Sequence, residues 1–128
     1  MQTFEKSKPI SVYDFQNYRS FLIAHFESVK DRNPAWSYQA WAKKLLLKNN
    51  TSLLKVIKGS RDAGPQIMSK LEGYFRFAPT EQQYFRALVA LAKAEKHPEM
   101  KSAILEQLVR IHPKREIEQL SEYQFTAI

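Results

Sequence analysis

The chain contains no cysteine, so neither a disulfide nor a thiolate metal site can stabilise it, and packing alone must hold it together. That usage suits a reducing cytoplasm. Glycine is scarce, with three residues against six prolines. Nowhere do β-branched and polar residues alternate over six or more positions, which argues against strands. The longest apolar run, Ala87 to Ala92, falls far short of the roughly 20 residues that span a bilayer. The opening MQTFEKSKPI lacks the apolar stretch of a signal peptide. These absences predict an all-α protein of the cytoplasm, without membrane contact.

The most consequential absence is of acid. Between Asp31 and Asp62 thirty consecutive residues carry no carboxylate, yet they include Arg32, Lys43, Lys44, Lys48, Lys55, Lys58 and Arg61. Those seven cations equal the formal net charge of +7 of all 128 residues, so the rest of the chain is balanced. Positive charge concentrated in a short segment attracts a polyanion, above all a duplex with its phosphates outside.

Helical spacing is what the chain has in place of strands. Phe15, Tyr18, Leu22, Phe26 and Val29 share one face of a helix expected over about 14–31, stopped by Asn33 and Pro34. Ser37 is placed to cap a second, short helix through Trp41, Ala42 and Leu45. A third carries Leu53, Val56 and Ile57 inward and closes at Gly59, where a left-handed residue is needed. Pro65 suits the first turn of a fourth, with Ile67, Leu71, Tyr74 and Phe75 inward. Pro79, Thr80 and Gln83 read as a capping-box start for a fifth, with Phe85, Leu88, Leu91 and Ala92 inward. His97 and Pro98 precede a sixth, with Met100, Ile104, Leu108 and Ile111 on one side, ending at Pro113. The segment 114–128, with Ile117 and Leu120 at helical spacing, fits either a docked helix or an extended arm.

Ser37 to Gly59 reads as a helix-turn-helix: a small Ala42 permits close approach, and Trp41, Leu45, Leu47, Leu53, Val56 and Ile57 bury the corner. The turn holds Leu46, Leu47 and Lys48 where a glycine is usual, so it is expected to run a residue longer than the simplest form. Such a unit puts the start of its second helix, about 50–58, in the major groove of double-stranded DNA. Asn49, Asn50, Thr51, Ser52 and Lys55 then face base edges and nearby phosphates, asparagine being able to read adenine with two hydrogen bonds. Ser37, Tyr38, Gln39, Lys43, Lys44, Lys48, Lys58 and Arg61 complete the expected contact set, the cations meeting phosphates on either side. Trp36, Tyr38 and Trp41 offer an alternative, a stacking platform for single strands. Their spacing favours core for Trp41 and a mixed role for Tyr38, whose hydroxyl can reach a phosphate, and leaves Trp36 open.

Other classes find less support. His25, His97 and His112 lie far apart, with no HExxH, no carboxylate pair recurring on one helix face and no glycine-rich phosphate loop. No catalysis, metal or cofactor is expected. A helical protein-interaction module is the competing reading. It draws on Met100, Ile104, Leu108, Ile111, Ile117 and Leu120, which exceed the needs of a five-helix core and suit a self-association face. The two ideas combine in a homodimer, since one helix-turn-helix reads only a half-site.

The order DFQNYRSFLIAHFESVKDRNPAWSYQAWAKKL, LLKVIKGSRD and TEQQYFRALVALAKA resembles the N-terminal part of a bacterial family common in Bdellovibrio and Fibrobacter, whose members are described as transcriptional regulators. That family opens with a YRxFL helix, matched at Tyr18 to Leu22. It continues through an RNPxxSYRxxA segment, a lysine-bearing helix ending in glycine and an EAEYF helix, matched at Arg32 to Ala42, Leu53 to Gly59 and Gln83 to Phe85. More loosely, Ser37 to Gly59 is similar to the DNA-binding unit of lambda-type phage repressors, which are bundles of about five helices. The resemblance implies a lambda-repressor-like DNA-binding domain over 1–96 and a helical extension over 97–128, for dimerisation or as a linker to a second domain. It also implies transcription regulation at the nucleoid, and pairing with longer paralogues as an alternative role.

Overall fold

The computed structural model describes residues 10–113, and within them the protein is all-helical: α1 (Tyr18–Arg32), α2 (Tyr38–Lys44), α3 (Thr51–Lys58), α4 (Pro65–Phe75), α5 (Pro79–Lys93) and α6 (Pro98–Ile111), preceded by a 3-10 turn at Val12–Asp14. The all-α expectation holds. Ile117, Leu120 and the choice between helix and arm for 114–128 lie outside the described residues.

α1 starts later than the stripe of aromatics implies. Asn17 caps it, its Oδ1 accepting from the amides of Arg19 at 2.8 Å and Ser20 at 3.1 Å, while Ser11 caps the preceding 3-10 turn. Phe15 therefore lies outside the helix, in extended backbone, and packs edge-on against Phe21. Phe21, absent from the expected stripe, is buried with Tyr18 and Leu22. Lys30 fastens the turn after α1, donating from Nζ to the carbonyls of Pro34 at 2.9 Å and Trp36 at 2.7 Å.

The core gathers Tyr18, Phe21, Leu22, Trp41, Leu45, Leu53, Val56, Leu71, Phe85 and Leu88. α1 packs on α3 and α5, α2 on α3, and α6 on α5. Pro79 begins α5 as expected, but Glu81 makes the reach-back contact, its Oε1 accepting from the Ala78 amide at 2.7 Å. Gln83 has no part in it, and the Thr80 hydroxyl instead meets the Tyr13 hydroxyl at 2.9 Å. Glu72 ties α4 to α5, its carboxylate accepting from Arg86 Nε at 2.7 Å, Arg86 Nη2 at 2.9 Å and Gln82 Nε2 at 2.9 Å. The Arg86 guanidinium holds that carboxyl below its ordinary range.

α6 turns the expected side inward except at its first turn. Leu108 is buried, and Ile104 and Ile111 pack against the core, but Met100 is 56% exposed. Leu105 and Val109, which border a cleft shared with Tyr13, Tyr84 and Leu91, remain 45% and 43% exposed. His112 closes the helix by a 2.9 Å contact from Nε2 to the Tyr13 carbonyl.

His25 sits where α1, α2 and α4 meet, ring to ring with Trp41, Tyr74 and Phe75, and its Nε2 lies 2.7 Å from the Tyr74 hydroxyl. Burial, with the Arg32 charge adding, pushes its pKa down to about 4. The unfolded chain therefore binds more protons than the folded one between about pH 6.5 and 4, and stability falls as pH drops through that window. The expected loss is about 1–2 kcal/mol after allowance for the ring's partial exposure. Urea midpoints at pH 7 and pH 4.5 measure it, and His25→Gln should flatten the difference.

Candidate nucleic-acid interface

The acid-free segment folds into two short helices joined through residues 45–50. Ser37 caps α2 as expected, Oγ accepting from the Ala40 amide at 3.0 Å. Trp41, Ala42 and Leu45 are buried on α2 and its end, and Leu53, Val56 and Ile57 on α3, so the apolar corner between the helices is filled. α3 closes at Gly59, at φ 86°, with the Ser60 amide donating to the Lys55 carbonyl at 3.0 Å. That is the left-handed ending the sequence predicts.

The turn reaches the same geometry without glycine. Leu46 adopts φ 61°, and its amide donates to the Lys43 carbonyl at 3.0 Å while the Leu47 amide donates to the Ala42 carbonyl at 2.9 Å. These two bonds make a Schellman ending with leucine at the left-handed position, which costs a residue bearing a Cβ roughly 1–2 kcal/mol. The fold holds it there: Leu47 packs against the core, and Lys70 of α4 donates from Nζ to the Leu46 carbonyl at 3.3 Å. The Leu46 side chain is left 80% exposed.

The front of α3 is partly open to solvent. Asn49 and Thr51 are exposed, and Asn50 and Ser52 half-buried. Asn49 supplies the cap, its Oδ1 accepting from the Thr51 amide at 2.9 Å, whereas Asn50 occupies the cap position with no side-chain cap bond. The division matters for base reading. A two-bond contact to adenine needs both the oxygen and the nitrogen of one amide, and only Asn50 keeps both uncommitted to the helix start.

The cations of the acid-free segment lie open to solvent. Lys43, Lys44, Lys48, Lys55, Lys58 and Arg61 are all exposed, as are Arg32 and the neutral Gln39. Among the described residues the ion pairs are Arg19 to Asp62 and Arg86 to Glu72, so none of the segment's seven cations is neutralised by a carboxylate there. Unpaired exposed charge is the form that exchanges counterions for phosphates at least desolvation cost.

The aromatic residues divide otherwise. Tyr38 is half-buried and stacks on Phe26, with ring centroids 3.9 Å apart and 5° between planes. Burial pushes its phenol pKa up, with the nearby Glu27 charge adding, and that negative charge works against a phosphate at the hydroxyl. Packing is its principal role. Trp41 is wholly buried and Trp36 only 5% exposed. Neither ring offers a face to a base, so the single-strand platform does not form and Trp36 belongs to the core.

Two contacts that position the unit have no local sequence signal. Arg19 of α1 donates from Nε to the Val56 carbonyl at 2.7 Å, and from Nη2 to the Arg61 carbonyl at 3.0 Å and Asp62 Oδ1 at 2.8 Å. Beside it the Tyr18 hydroxyl accepts from the Ala63 amide at 3.1 Å. Together they clamp the last turn of α3 and the loop after it onto α1. Their partners lie 37 to 45 positions away, beyond any spacing rule.

No helix among the described residues is long and apolar enough to cross a membrane. Compared with protein-family models, curated proteins and solved structures, the chain matches none.

Proposed function

We propose that this protein binds double-stranded DNA with sequence preference and regulates transcription. In this reading α2 lies across the backbone, the front of α3 enters the major groove, and the lysines on either side release counterions as they meet phosphates. Lys43, Lys44, Lys48, Lys58 and Arg61 set affinity. Asn50, with Thr51, Ser52 and Lys55, reads base edges, while Ser37 and Asn49 act through the helix starts they cap. The observation that carries the reading is the partly open front of α3 in a segment whose cations are all exposed and pair with no described carboxylate. The resemblance of Tyr18 to Leu22, Arg32 to Ala42, Leu53 to Gly59 and Gln83 to Phe85 to the motifs of the bacterial regulator family is in keeping with it. Repeated selection of bound duplexes from a random pool tests it, the expected outcome being enrichment of a short motif with salt-sensitive capture. A pool that never enriches rejects the reading.

Useful affinity from one short half-site calls for two copies, and the flank of α6 that bears the exposed Leu105 and Val109 is the surface we assign to pairing. Sedimentation at micromolar concentration is expected to find a dimer, and Leu105→Glu a monomer. A strict monomer rejects the pairing. The same face favours the second reading, a helical module that docks on longer relatives, and such a module would sediment as a monomer without enriching any duplex.

A further inference from the structure

Leu46 bears two costs at once. Its backbone is held in the left-handed region at φ 61°, where a glycine fits without strain, and its side chain is 80% exposed, the largest exposure among the described large hydrophobic residues. A glycine at this position removes both. Arg76 ends α4 with a similar φ of 54°, so it is the coincidence of strain with an exposed apolar side chain that sets Leu46 apart, and strain held by surrounding structure clusters at sites that contact ligands. Here the surrounding structure is visible: the two amide bonds of the helix ending and the Lys70 contact to the Leu46 carbonyl keep the turn in place.

What the leucine meets follows from its neighbours. Lys43, Lys44 and Lys48 are exposed around it, and none is paired with a described carboxylate. A second copy of this surface would bring like charges together, so an apolar group here does not serve self-association. A polyanion is attracted, and the apolar feature that a DNA duplex presents in the major groove is the C5-methyl group of thymine. Leu46 precedes Asn49 by three residues, in the turn that leads into the front of α3. We propose that Leu46 is a specificity contact, seated against a thymine methyl at the edge of the half-site read by α3. This rests on the DNA-binding reading above and adds to it a base and a residue.

The test is a cycle of two proteins and two duplexes. The proteins are wild type and Leu46→Ala, which keeps the Cβ and hence the backbone strain. The duplexes are the selected site and the same site with deoxyuridine for thymine, which removes only the methyl groups. Wild type is expected to lose about four- to tenfold in affinity on the deoxyuridine duplex. Leu46→Ala should show the same loss on the thymine duplex and little further loss on deoxyuridine. Leu46→Gly is expected to raise Tm by a few degrees while binding as weakly as the alanine variant, which separates the contact from folding. If Leu46→Ala binds both duplexes as wild type does, or if the deoxyuridine loss is equal in the two proteins, the leucine touches no methyl and the proposal is overturned. If wild type enriches no duplex at all, the DNA reading itself has failed, a different result from either of these.

Discussion

Alanine in place of Arg19 is expected to lower the stability of the fold by about 2–3 kcal/mol, although the side chain lies at the edge of the protein. Its guanidinium donates to three acceptors on three residues, Val56, Arg61 and Asp62, and lies 4.9 Å from the centre of the Tyr18 ring. Hydrogen bonds from a charged donor contribute roughly 1.5–3 kcal/mol each in buried settings. The side chains of Arg19 and Asp62 are 20% and 41% exposed, so water replaces part of what the substitution removes and the sum is discounted accordingly. The Val56 carbonyl retains the Gly59 amide at 3.1 Å, which limits the damage there. Lysine at position 19 should recover only part of the stability, since one ammonium cannot reproduce the planar fork that reaches three acceptors. Urea unfolding reads the effect as a lower midpoint with unchanged m. A shift below about 0.5 kcal/mol, the range of ordinary surface substitutions, would mean that the guanidinium spends its time in water. For binding, a loosened last turn of α3 should lower discrimination between sequences more than affinity for unrelated duplexes.

The second large effect concerns charge. Replacing Lys48 and Lys55 together by alanine is expected to make the slope of log K against log salt shallower by about two, at roughly 0.9 for each phosphate no longer neutralised. Both side chains are exposed and neither pairs with a described carboxylate, so thermal stability should barely change. Removing any two cations also lowers the net charge, and the comparison must separate position from total. Lys93, the last residue of α5, and Lys96, in the turn after it, are both exposed and provide the control, and their double alanine variant should leave the slope as it is. Equal slopes for the two double variants would show that only total charge matters. That result would remove α3 from the interface, as would a Lys48 and Lys55 variant indistinguishable from wild type.

Much of the helical layout was readable because its signals are local. The Ser37 cap, the left-handed Gly59 and the Pro65 start each depend on contacts within about four residues, and each takes the expected form. Where two local signals competed, spacing misled. Phe15 fits the aromatic stripe as well as Tyr18 does, but Asn17 can accept from two amides at once, and the helix begins there. Thr80 had the right chemistry for a cap, yet Glu81 reaches the Ala78 amide while Thr80 serves Tyr13 across 67 positions. On α6 periodicity identified a stripe but misplaced its edge, since which side faces α5 depends on the packing of two helices rather than on either alone.

The candidate interface divides along the same line. Its charge was evident from composition, because an acid-free run of thirty residues leaves its cations without carboxylates nearby in the chain. Its aromatic members were not, for whether Trp36 and Tyr38 face solvent or core depends on Phe26 of α1 coming to lie against them.

By itself, then, the order of residues determined the helices, most of their ends and the excess of positive charge, since these follow from near neighbours and from counting. Only the tertiary structure decided that Leu46 bends left-handed without glycine, that Arg19 holds the end of α3, and that the other described helices leave the front of α3 partly open. Each of these depends on where segments tens of residues apart come to rest against one another, and no rule of spacing along one helix can specify such a meeting.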